Sequence, residues 1–322
     1  MKICKDKSGA NVIAVVIVCA LVLVSIGVGY YGLMRLDKLE KELKSAKEAA
    51  NVLTVVDDFG RIVSIQKYPK RIISLAPSTT EILFAIGAGG LIVGNTDYCN
   101  YPDAAKNITK VGGFYQTLNI EVVVGLEPDL VIAFYGQEQE VSTLEDLGIC
   151  VIALHPETLN GVILNIRQMG LILNKTAEAN NLADSLEARI KNVTALTSNV
   201  TLHKPDVYIE YYEYWTYGPG SFGNDLVLKA GGKNIAATTT TAYPMVTSEF
   251  VVGSDPGIII LTAGMYAPTE EDIKNRPGWE NISAVKNDKI YYIDGDLIDR
   301  PGPRIVNGLE ELAKIVHPEL FE

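Results

Sequence analysis

The sequence has few of the residues from which metal centres, disulfide scaffolds and nucleic-acid surfaces are built. Its 322 residues include three histidines and four cysteines. A histidine-rich metal centre is therefore unavailable, and a chain of this length needs no disulfide framework to fold. Lysine and arginine number 28 against 39 aspartates and glutamates, which gives a net charge of −11. Nucleic acid is bound by basic faces, so this balance argues against it as a partner.

Motifs typical of enzymes are also missing. The sequence contains no Walker A, H-E-x-x-H or C-x-x-C motif, and Pro219 replaces the first glycine that a G-x-S-x-G elbow around Ser221 would need. The stretch GPGSFG at 218–223 follows an acidic, aromatic strand, which favours a loop turning into a helix over a dinucleotide site. The motifs that would identify a catalytic site are therefore absent from the sequence.

The apolar residues are concentrated at the N-terminus. Mean hydropathy is +0.15, high for so acidic a chain. Residues 12–34 form 23 consecutive positions without a formal charge. As a helix they would span about 34 Å, enough to cross a bilayer. Residues 1–11 carry three lysines against one aspartate, which predicts a cytosolic stub and a single-pass anchor with all later residues outside the membrane.

Residues 35–52 read as a helical spacer. Leucines and alanines recur there at spacings of three and four, with charges between them. The pattern fits either a spacer that holds the following domain off the membrane or a short coiled coil. The first 34 residues have a net charge of +2 and residues 35–50 have a net charge of +1. Because the whole chain has a net charge of −11, residues 51–322 have a net charge of −14. The external part is thus predicted to be strongly acidic.

The remaining chain alternates between strand and helix patterns in two sets. A hairpin signal precedes four buried-strand patterns, then residues 156–195 are almost continuously helical, and a second strand–helix set follows. This predicts an α/β fold with two lobes, each a mostly parallel sheet with flanking helices, joined by one long helix. The predicted strands are 52–56, 62–65, 71–76, 91–96, 129–134, 150–155, 206–214, 257–262 and 289–294.

Aromatic residues cluster at predicted strand ends and loops of both lobes. Strand alternation allows any one of them to be a core residue. As a set they predict two facing aromatic walls, which suit a large, flat, partly apolar ligand with a polar rim. They are Tyr98, Tyr101, Phe114, Tyr115 and Tyr135 in the first lobe, and Tyr212, Tyr214, Trp215, Tyr217 and Tyr243 in the second.

Two cysteines and a histidine in the external part could carry chemistry. Cys99 follows a strand whereas Cys150 opens one, so a parallel sheet would place them at opposite edges, beyond disulfide reach. We expect a buried Cys150 and leave a ligand contact by Cys99 open. His155 has no partners in the sequence and is read as structural, so no metal site is predicted.

These residues resemble those of a known family, the helical-backbone (class III) substrate-binding proteins of ABC importers, which take up cobalamin, iron siderophores and haem. The resemblance covers about residues 53–320 in the family's order. It lies in RIISLAPSTTEILFAIGAGGLIVGNTDYCNYP, VGGFYQTLNIEVVVGLEPDLVIAF, LEDLGICVIAL, FGNDLVLKAGGKNI, YPMVTSEFVVGSDPGIIIL, RPGWENISAVKNDKIYYID and RPGPRIVNGLEELAKIVHP.

The resemblance implies a membrane-anchored capture protein that is not an enzyme and has no cofactor of its own. A membrane-tethered, hydrolase-like enzyme and a ligand-sensing receptor without transport remain the alternatives. Its ligand would be a metal chelate, with cobalamin or another corrinoid ahead of a ferric siderophore or haem. Its partners would be a permease dimer with ATPase subunits. The implied division is an N-terminal lobe at 53–175, a bridging helix at 176–196 and a C-terminal lobe at 197–322.

Individual residues follow from the same resemblance. Glu121 and Glu249 match the glutamates that dock with arginines of the transporter; read alone, each is an acid in the first turn of a helix. Pro77 and Ser78 would open the first helix at the cleft, where free N–H groups meet a polar ligand edge. The expected ligand contacts are Pro77, Ser78, Tyr98, Tyr101, Tyr115, Trp215, Tyr217, Tyr243, Asp296 and Arg300.

Overall fold

The chain divides into a small N-terminal unit, Met1–Val52, and a large one, Leu53–Glu322. The computed structural model describes residues 34–35, 37–42, 51–113, 118–198, 204–263 and 268–321. Within them, no helix combines the length and apolar character that a membrane crossing requires. The predicted stub and the predicted anchor at 12–34 lie outside the described residues apart from Met34, as does half of the predicted spacer.

The described part of the small unit is helical. Residues 34–35 and 37–42 have helical backbone. Lys41 Nζ lies 2.9 Å from the carboxylate of Asp37, one turn earlier on an exposed face. Ion pairs of this spacing support an exposed helix weakly. Helical backbone is thus observed over these residues, and their role as a spacer stays a prediction.

The large unit begins with the predicted hairpin. Strands β1 (Val52–Val56) and β2 (Ile62–Gln66) form a two-stranded sheet. Its turn is closed by Asp57, whose carboxylate accepts hydrogen bonds from the backbone N–H groups of Phe59 and Arg61 at 3.1 and 3.0 Å. Gly60 has a φ of 73°, a conformation that glycine adopts without a steric penalty.

The first lobe is a four-stranded parallel sheet with the order β4-β3-β5-β6. All four strands are short apolar runs buried by helices on both faces, as parallel sheets require. The strands are β3 (Ile72–Ser74), β4 (Ile92–Asn95), β5 (Leu130–Phe134) and β6 (Val151–Leu154), and the helices are α1 (Pro77–Ala85), α2 (Ile120–Gly125) and α3 (Glu138–Asp146).

The predicted long helical region is two helices, α4 (Leu159–Ile172) and α5 (Thr176–Ser198). The break falls at Asn174, whose φ of 56° is incompatible with a continuing helix. The two helices cross closely at Gly170, where an added Cβ would lie 2.3 Å from the Cβ of Ala179. Helix α5 extends two residues beyond the predicted 176–196.

The second lobe repeats the parallel arrangement with the order β10-β9-β7-β8. Of the strands described in this lobe, the sequence pattern predicts all but the two-residue edge strand β8. The strands are β7 (Asp206–Glu210), β8 (Lys233–Asn234), β9 (Ile258–Ala263) and β10 (Ile290–Asp294). The helices are α6 (Phe222–Lys229), α7 (Ser248–Ser254), α8 (Glu270–Lys274), α9 (Ser283–Lys286), α10 (Gly295–Ile298) and α11 (Ile305–Val316).

Helix α5 joins the cores of both lobes. Its buried face is formed by Ala179, Ala183, Leu186, Ile190 and Val193, at alternating spacings of four and three. These residues belong to one apolar cluster that includes side chains of both sheets. Continuous packing of this kind resists bending, so the helix is a stiff connection between the lobes.

Candidate functional site

The carboxyl ends of the two sheets lie at a common cleft, and the loops that leave them meet across it. In the first lobe these segments begin at Pro77, Tyr135 and His155; in the second they begin at Tyr211 and Gly295. Open α/β sheets bind their ligands outside the carboxyl ends of the strands. This cleft is therefore the candidate binding site.

One end of the cleft is closed by ion pairs between the lobes. Arg304 donates from Nε and Nη2 to the two carboxylate oxygens of Glu81, at 2.8 and 2.7 Å. Arg300 Nη1 lies 3.4 Å from the same carboxylate, and its Nη2 lies 2.5 Å from Asp296. Asn100 accepts a 2.7 Å hydrogen bond from Arg300 and donates one of 3.0 Å to Asp296. We call these five residues the ionic cluster; both of its guanidinium groups are already paired with carboxylates.

Burial makes the ionic cluster tight. Glu81 is only 3% exposed, and a carboxylate so buried requires cationic partners. The guanidinium carbon of Arg304 lies 4.2 Å from the ring centroid of Tyr101, a cation–π contact. Gly302 lies between the two arginines, and an added Cβ there would come 3.2 Å from the carbonyl oxygen of Ser78. The loop after β10 is thus pinned against helix α1.

The opposite end of the cleft is closed by aromatic rings. Tyr135 and His155 stack with their ring centroids 4.2 Å apart. Tyr243 of the second lobe approaches Tyr135 at 5.5 Å. We call these three residues the aromatic bridge. Burial lowers the pKa of His155, which favours the neutral ring at pH 7, and burial raises the pKa of Tyr243.

A buried layer supports Tyr243 from within the second lobe. The Tyr217 ring lies 6.1 Å from that of Tyr243, and its hydroxyl donates a 2.6 Å hydrogen bond to Asp299. Burial of the carboxyl group raises the pKa of Asp299 to about 7. Tyr217 is 3% exposed, so it lies behind the wall of the cleft, and its predicted ligand contact stays a prediction.

Apart from Tyr115, the other predicted ligand residues fall into three groups. Tyr98 and Tyr101 are exposed beside the ionic cluster, where Asp296 and Arg300 belong to the cluster itself. Ser78 is buried at the start of α1, and Pro77 is half-buried. Tyr115 lies outside the described residues. Trp215 and Tyr243 lie together on the second lobe, at a cavity of about 500 Å³ that Met245 and Phe250 also line.

Three buried side-chain atoms among the described residues have no hydrogen-bond partner. They are Thr79 Oγ1, His155 Nε2 and Thr216 Oγ1. All three belong to segments that border the cleft: the first turn of α1, the end of β6 and the loop after β7. A buried polar atom without a partner is costly, so such atoms indicate where a ligand could supply a polar group.

The cysteines of the two lobes do not form a disulfide. Cys99 and Cys150 are both free. The Cys99 thiol is buried, 3.2 Å from the hydroxyls of both Thr80 and Thr96, which turns it inward from the cleft. Cys150 is half-buried rather than buried as predicted, and burial raises its thiol pKa. The described residues contain no group of three or more His, Cys, Asp or Glu side chains arranged to hold a metal ion.

The predicted docking acids are both exposed in the first turns of short helices. Glu121 follows the Asn119 cap of α2, and Glu249 follows the Thr247 cap of α7. Hydrogen bonds from its own backbone N–H and from the Thr247 hydroxyl lower the pKa of Glu249. Both carboxylates are free to meet a basic surface. The same geometry also suits acids that stabilise a helix start.

Sequence reasoning missed several residues that form the ends of the cleft. Glu81 lies in an apolar helix pattern, where a single acid gave no sign of a partner more than 200 residues away. Arg304 lies in the RPGPR stretch, from which the resemblance assigns only Arg300 as a ligand contact. Tyr135 belongs to the predicted aromatic wall of the first lobe and His155 is read as structural; their stacking depends on the pairing of strands β5 and β6, which neither residue signals.

Comparison with known proteins agrees with this architecture. The family model described as "Periplasmic binding protein" matches residues 72–297, which include both sheets and the cleft. An uncharacterized ABC transporter substrate-binding lipoprotein of Bacillus subtilis is 32% identical over 295 residues, covering 89% of this chain and 92% of its own sequence.

Two solved structures resemble the chain over nearly their whole length. A possible iron-binding, periplasmic solute-binding protein of Staphylococcus epidermidis is 30% identical with a TM-score of 0.66, covering 78% of this chain and 100% of its own. The periplasmic vitamin B12-binding protein of Vibrio cholerae is 27% identical with a TM-score of 0.68, covering 79% and 99%. The chain belongs to the periplasmic binding protein family, and it is a substrate-binding protein of an ABC transporter rather than an enzyme.

Proposed function

We propose that the cleft captures a corrinoid, with cobalamin as first choice, and delivers it to an ABC importer made of a permease dimer and ATPase subunits. The observation that carries the proposal is the exposure of aromatic side chains on both lobes, Tyr98 and Tyr101 on one and Trp215 on the other, which we take to line the cleft. Flat, partly apolar macrocycles are bound between such rings. The named vitamin B12-binding relative supports the same choice.

The charge state of the cleft favours a corrinoid over more anionic chelates. Arg300 and Arg304 are both neutralised by Glu81 and Asp296. Haem carries two propionates, and anionic ligands of this kind are bound best by arginines with free donors. A neutral or cationic macrocycle needs no such donor. The ionic cluster therefore supports a ligand without excess negative charge.

Haem or a ferric siderophore is the second candidate. The phenol groups of Tyr101 and Tyr243 and the unpartnered Nε2 of His155 are donors that iron accepts. The possible iron-binding relative supports this alternative. A sensing role without transport would show itself as ligand binding that leaves a transporter unaffected.

We further propose that residues 12–34 hold the protein in the cell membrane, with residues 1–11 in the cytosol and the ligand-binding part outside. The uncharged run of 23 residues and the lysines before it support this arrangement. The Bacillus subtilis relative is named a lipoprotein, which supports attachment to a membrane.

The first experiment identifies the ligand. The full-length protein in nanodiscs is titrated with cyanocobalamin, haemin and a ferric hydroxamate siderophore, by calorimetry and by absorbance. We expect saturable, one-to-one binding of cyanocobalamin, and at least tenfold weaker binding of the two iron chelates. Preferential binding of haemin would replace the corrinoid by the second candidate, and no binding of any probe would contradict both.

The second experiment tests docking. Each lobe would meet the permease through one acid, so Glu121→Ala combined with Glu249→Ala should abolish stimulation of the transporter's ATPase and leave the Kd for cyanocobalamin unchanged. The matched control is Asp146→Ala combined with Glu271→Ala, which also removes one exposed acid from each lobe. Unchanged stimulation in the first pair, or an equal loss in the control, would contradict this role.

A further inference from the structure

The helix that carries Glu249 is held at both ends by one neighbouring segment. At its start, Trp279 Nε1 donates a 2.8 Å hydrogen bond to Ser248 Oγ. At its end, the carboxylate of Asp255 accepts from the backbone N–H and the hydroxyl of Ser283, at 2.6 and 2.9 Å. We call residues 276–283 the bracket segment. Helix α7 has seven residues, too few to be stable alone, so these bonds set its position.

The bracket segment also holds the loop that carries Trp215, residues 211–221, which we call the ligand loop. Arg276 donates from both terminal nitrogens to the carboxylate of Glu210, at 2.7 Å each. Glu210 is the last residue of β7 and is 1% exposed. The guanidinium carbon of Arg276 lies 4.5 Å from the ring centroid of Tyr214 and 4.6 Å from that of Trp279. Arg276 thus lies between a ring of the ligand loop and a ring of its own segment.

The backbone completes the connection between the loop and the helix. Thr216 N donates to the carbonyl of Pro244 at 3.0 Å, and Val246 N donates to the carbonyl of Tyr214 at 2.9 Å. Residue 246 directly precedes Thr247, the cap of α7, whose hydroxyl accepts from the backbone N–H of Phe250. Trp215 lies inside this paired stretch. Backbone hydrogen bonds therefore connect the ligand loop to the residues that directly precede α7, which we call the docking helix.

The side chains that make these links cannot serve as contacts themselves. Trp279 is fully buried, and the Arg276 side chain is 12% exposed. Trp279 lies in an apolar cluster of the second lobe that is distinct from the large shared core, and Tyr214 packs against that cluster. Arg276 and Trp279 can therefore affect a ligand or a transporter only by setting the positions of the exposed residues Trp215 and Glu249.

Resting on the proposed function, we propose that Arg276 and Trp279 are positioning residues that hold the docking acid Glu249 in fixed register with the ligand loop. Trp279 holds the docking helix α7 directly, whereas Arg276 holds the loop through Glu210 and Tyr214 and supports the helix only through the ring of Trp279. A transporter that binds Glu249 therefore meets a surface whose position depends on the same segment as the wall of the cleft.

The test separates docking from ligand capture. Trp279→Phe and Ser248→Ala each remove one partner of the same hydrogen bond in the full-length protein. Each should raise the protein concentration for half-maximal ATPase stimulation about 5–10-fold, while the Kd for cyanocobalamin stays within about twofold. The double variant should be no worse than the single ones. Ser254→Ala is the matched control, because its hydroxyl bonds only within α7, to the Phe250 carbonyl, and it should change neither value.

Arg276→Lys keeps the charge but loses the planar, forked donor that spans Glu210 and stacks on both rings. It should weaken both ligand binding and stimulation by about fivefold or more. The proposal is overturned if Trp279→Phe and Ser248→Ala leave stimulation unchanged, or weaken cyanocobalamin binding as much as docking.

Amide hydrogen exchange keeps this inference separate from the proposed function, since it needs neither ligand nor transporter. Exchange at residues 248–254 should be faster in Trp279→Phe and Ser248→Ala than in the wild type. Unchanged exchange there overturns the positioning role even if the wild type binds and stimulates as proposed. A wild type that neither binds nor stimulates contradicts the proposed function, while faster exchange still supports the positioning role.

Discussion

The two ends of the cleft join the same pair of lobes with different chemistry. The ionic cluster uses a buried carboxylate and two arginines, and Arg304 contacts that carboxylate at 2.8 and 2.7 Å. The aromatic bridge uses ring contacts at 4.2 and 5.5 Å. Charge-assisted bonds are directional and fix one geometry, whereas ring contacts tolerate small displacements. The comparison suggests one end that sets the register of the lobes and one that adapts to a ligand.

The free energy lost on removing one side chain should therefore differ between the two ends of the cleft. Removing one partner of a buried ion pair leaves an uncompensated charge and typically costs about 3–5 kcal/mol. Removing one ring from an aromatic contact costs about 0.5–1.5 kcal/mol beyond the area that it buries. Stability measurements should therefore respond most at the ionic end, and ligand affinity most at the aromatic end.

The largest effect is expected at Glu81. Glu81→Ala leaves Arg300 and Arg304 without their shared carboxylate, so it should lower the free energy of unfolding by about 3–5 kcal/mol in urea titrations. Glu121→Ala is the control, because it removes an exposed acid of the same lobe and should change stability by less than about 0.5 kcal/mol. A loss below about 1 kcal/mol at Glu81 would reduce the ionic cluster to an ordinary surface pair.

Asp299 tests the region between the two ends, since it precedes Arg300 and accepts a hydrogen bond from Tyr217. Its pKa is raised from 3.8 to about 7 by burial. Between these values the folded protein keeps a proton that the unfolded chain has released, so stability falls as pH rises from about 4 to about 7. The fall should be about 2–3 kcal/mol, discounted because the residue as a whole is half-buried.

Asp299→Asn should remove this pH dependence, because the amide is neutral throughout. Melting temperatures at pH 5 and pH 8 provide the measurement, and Asp288→Asn, an exposed acid of the same lobe, is the control. If the wild type is equally stable at both pH values, the carboxyl is hydrated and the layer behind Tyr243 is less closed than the structure indicates.

The fold could be predicted from the sequence because its signals are local. Buried parallel strands appear as short apolar runs such as LVIAF at Leu130–Phe134, and each such run was found. The exceptions have physical reasons. Strand β8 has two residues, too few for a pattern. The break between α4 and α5 depends on the left-handed backbone of Asn174, which the helical periodicity around it hides.

The site could be predicted only in part because its contacts are between distant residues. Tyr101, Trp215 and Tyr243 could be selected as aromatics in loops. The pairing of Glu81 with Arg304 depends on how two lobes are placed against each other, and no local pattern encodes that. Tyr217 shows the converse case: its loop position suggests exposure, whereas its side chain is buried and its hydroxyl bonds to Asp299, so its ligand contact stays a prediction.

The aromatic bridge provides the smallest expected change in energy and the sharpest test of its role. Tyr243→Ala removes the only described ring that reaches from the second lobe to Tyr135, so the Kd for cyanocobalamin should rise about tenfold, equivalent to about 1.4 kcal/mol. Tyr292→Ala, an exposed tyrosine of the same lobe, is the control and should leave affinity unchanged. If Tyr243→Ala instead tightens binding, the bridge obstructs the cleft and must open before a ligand enters. The aromatic end would then be an obstacle to the ligand rather than a wall that holds it.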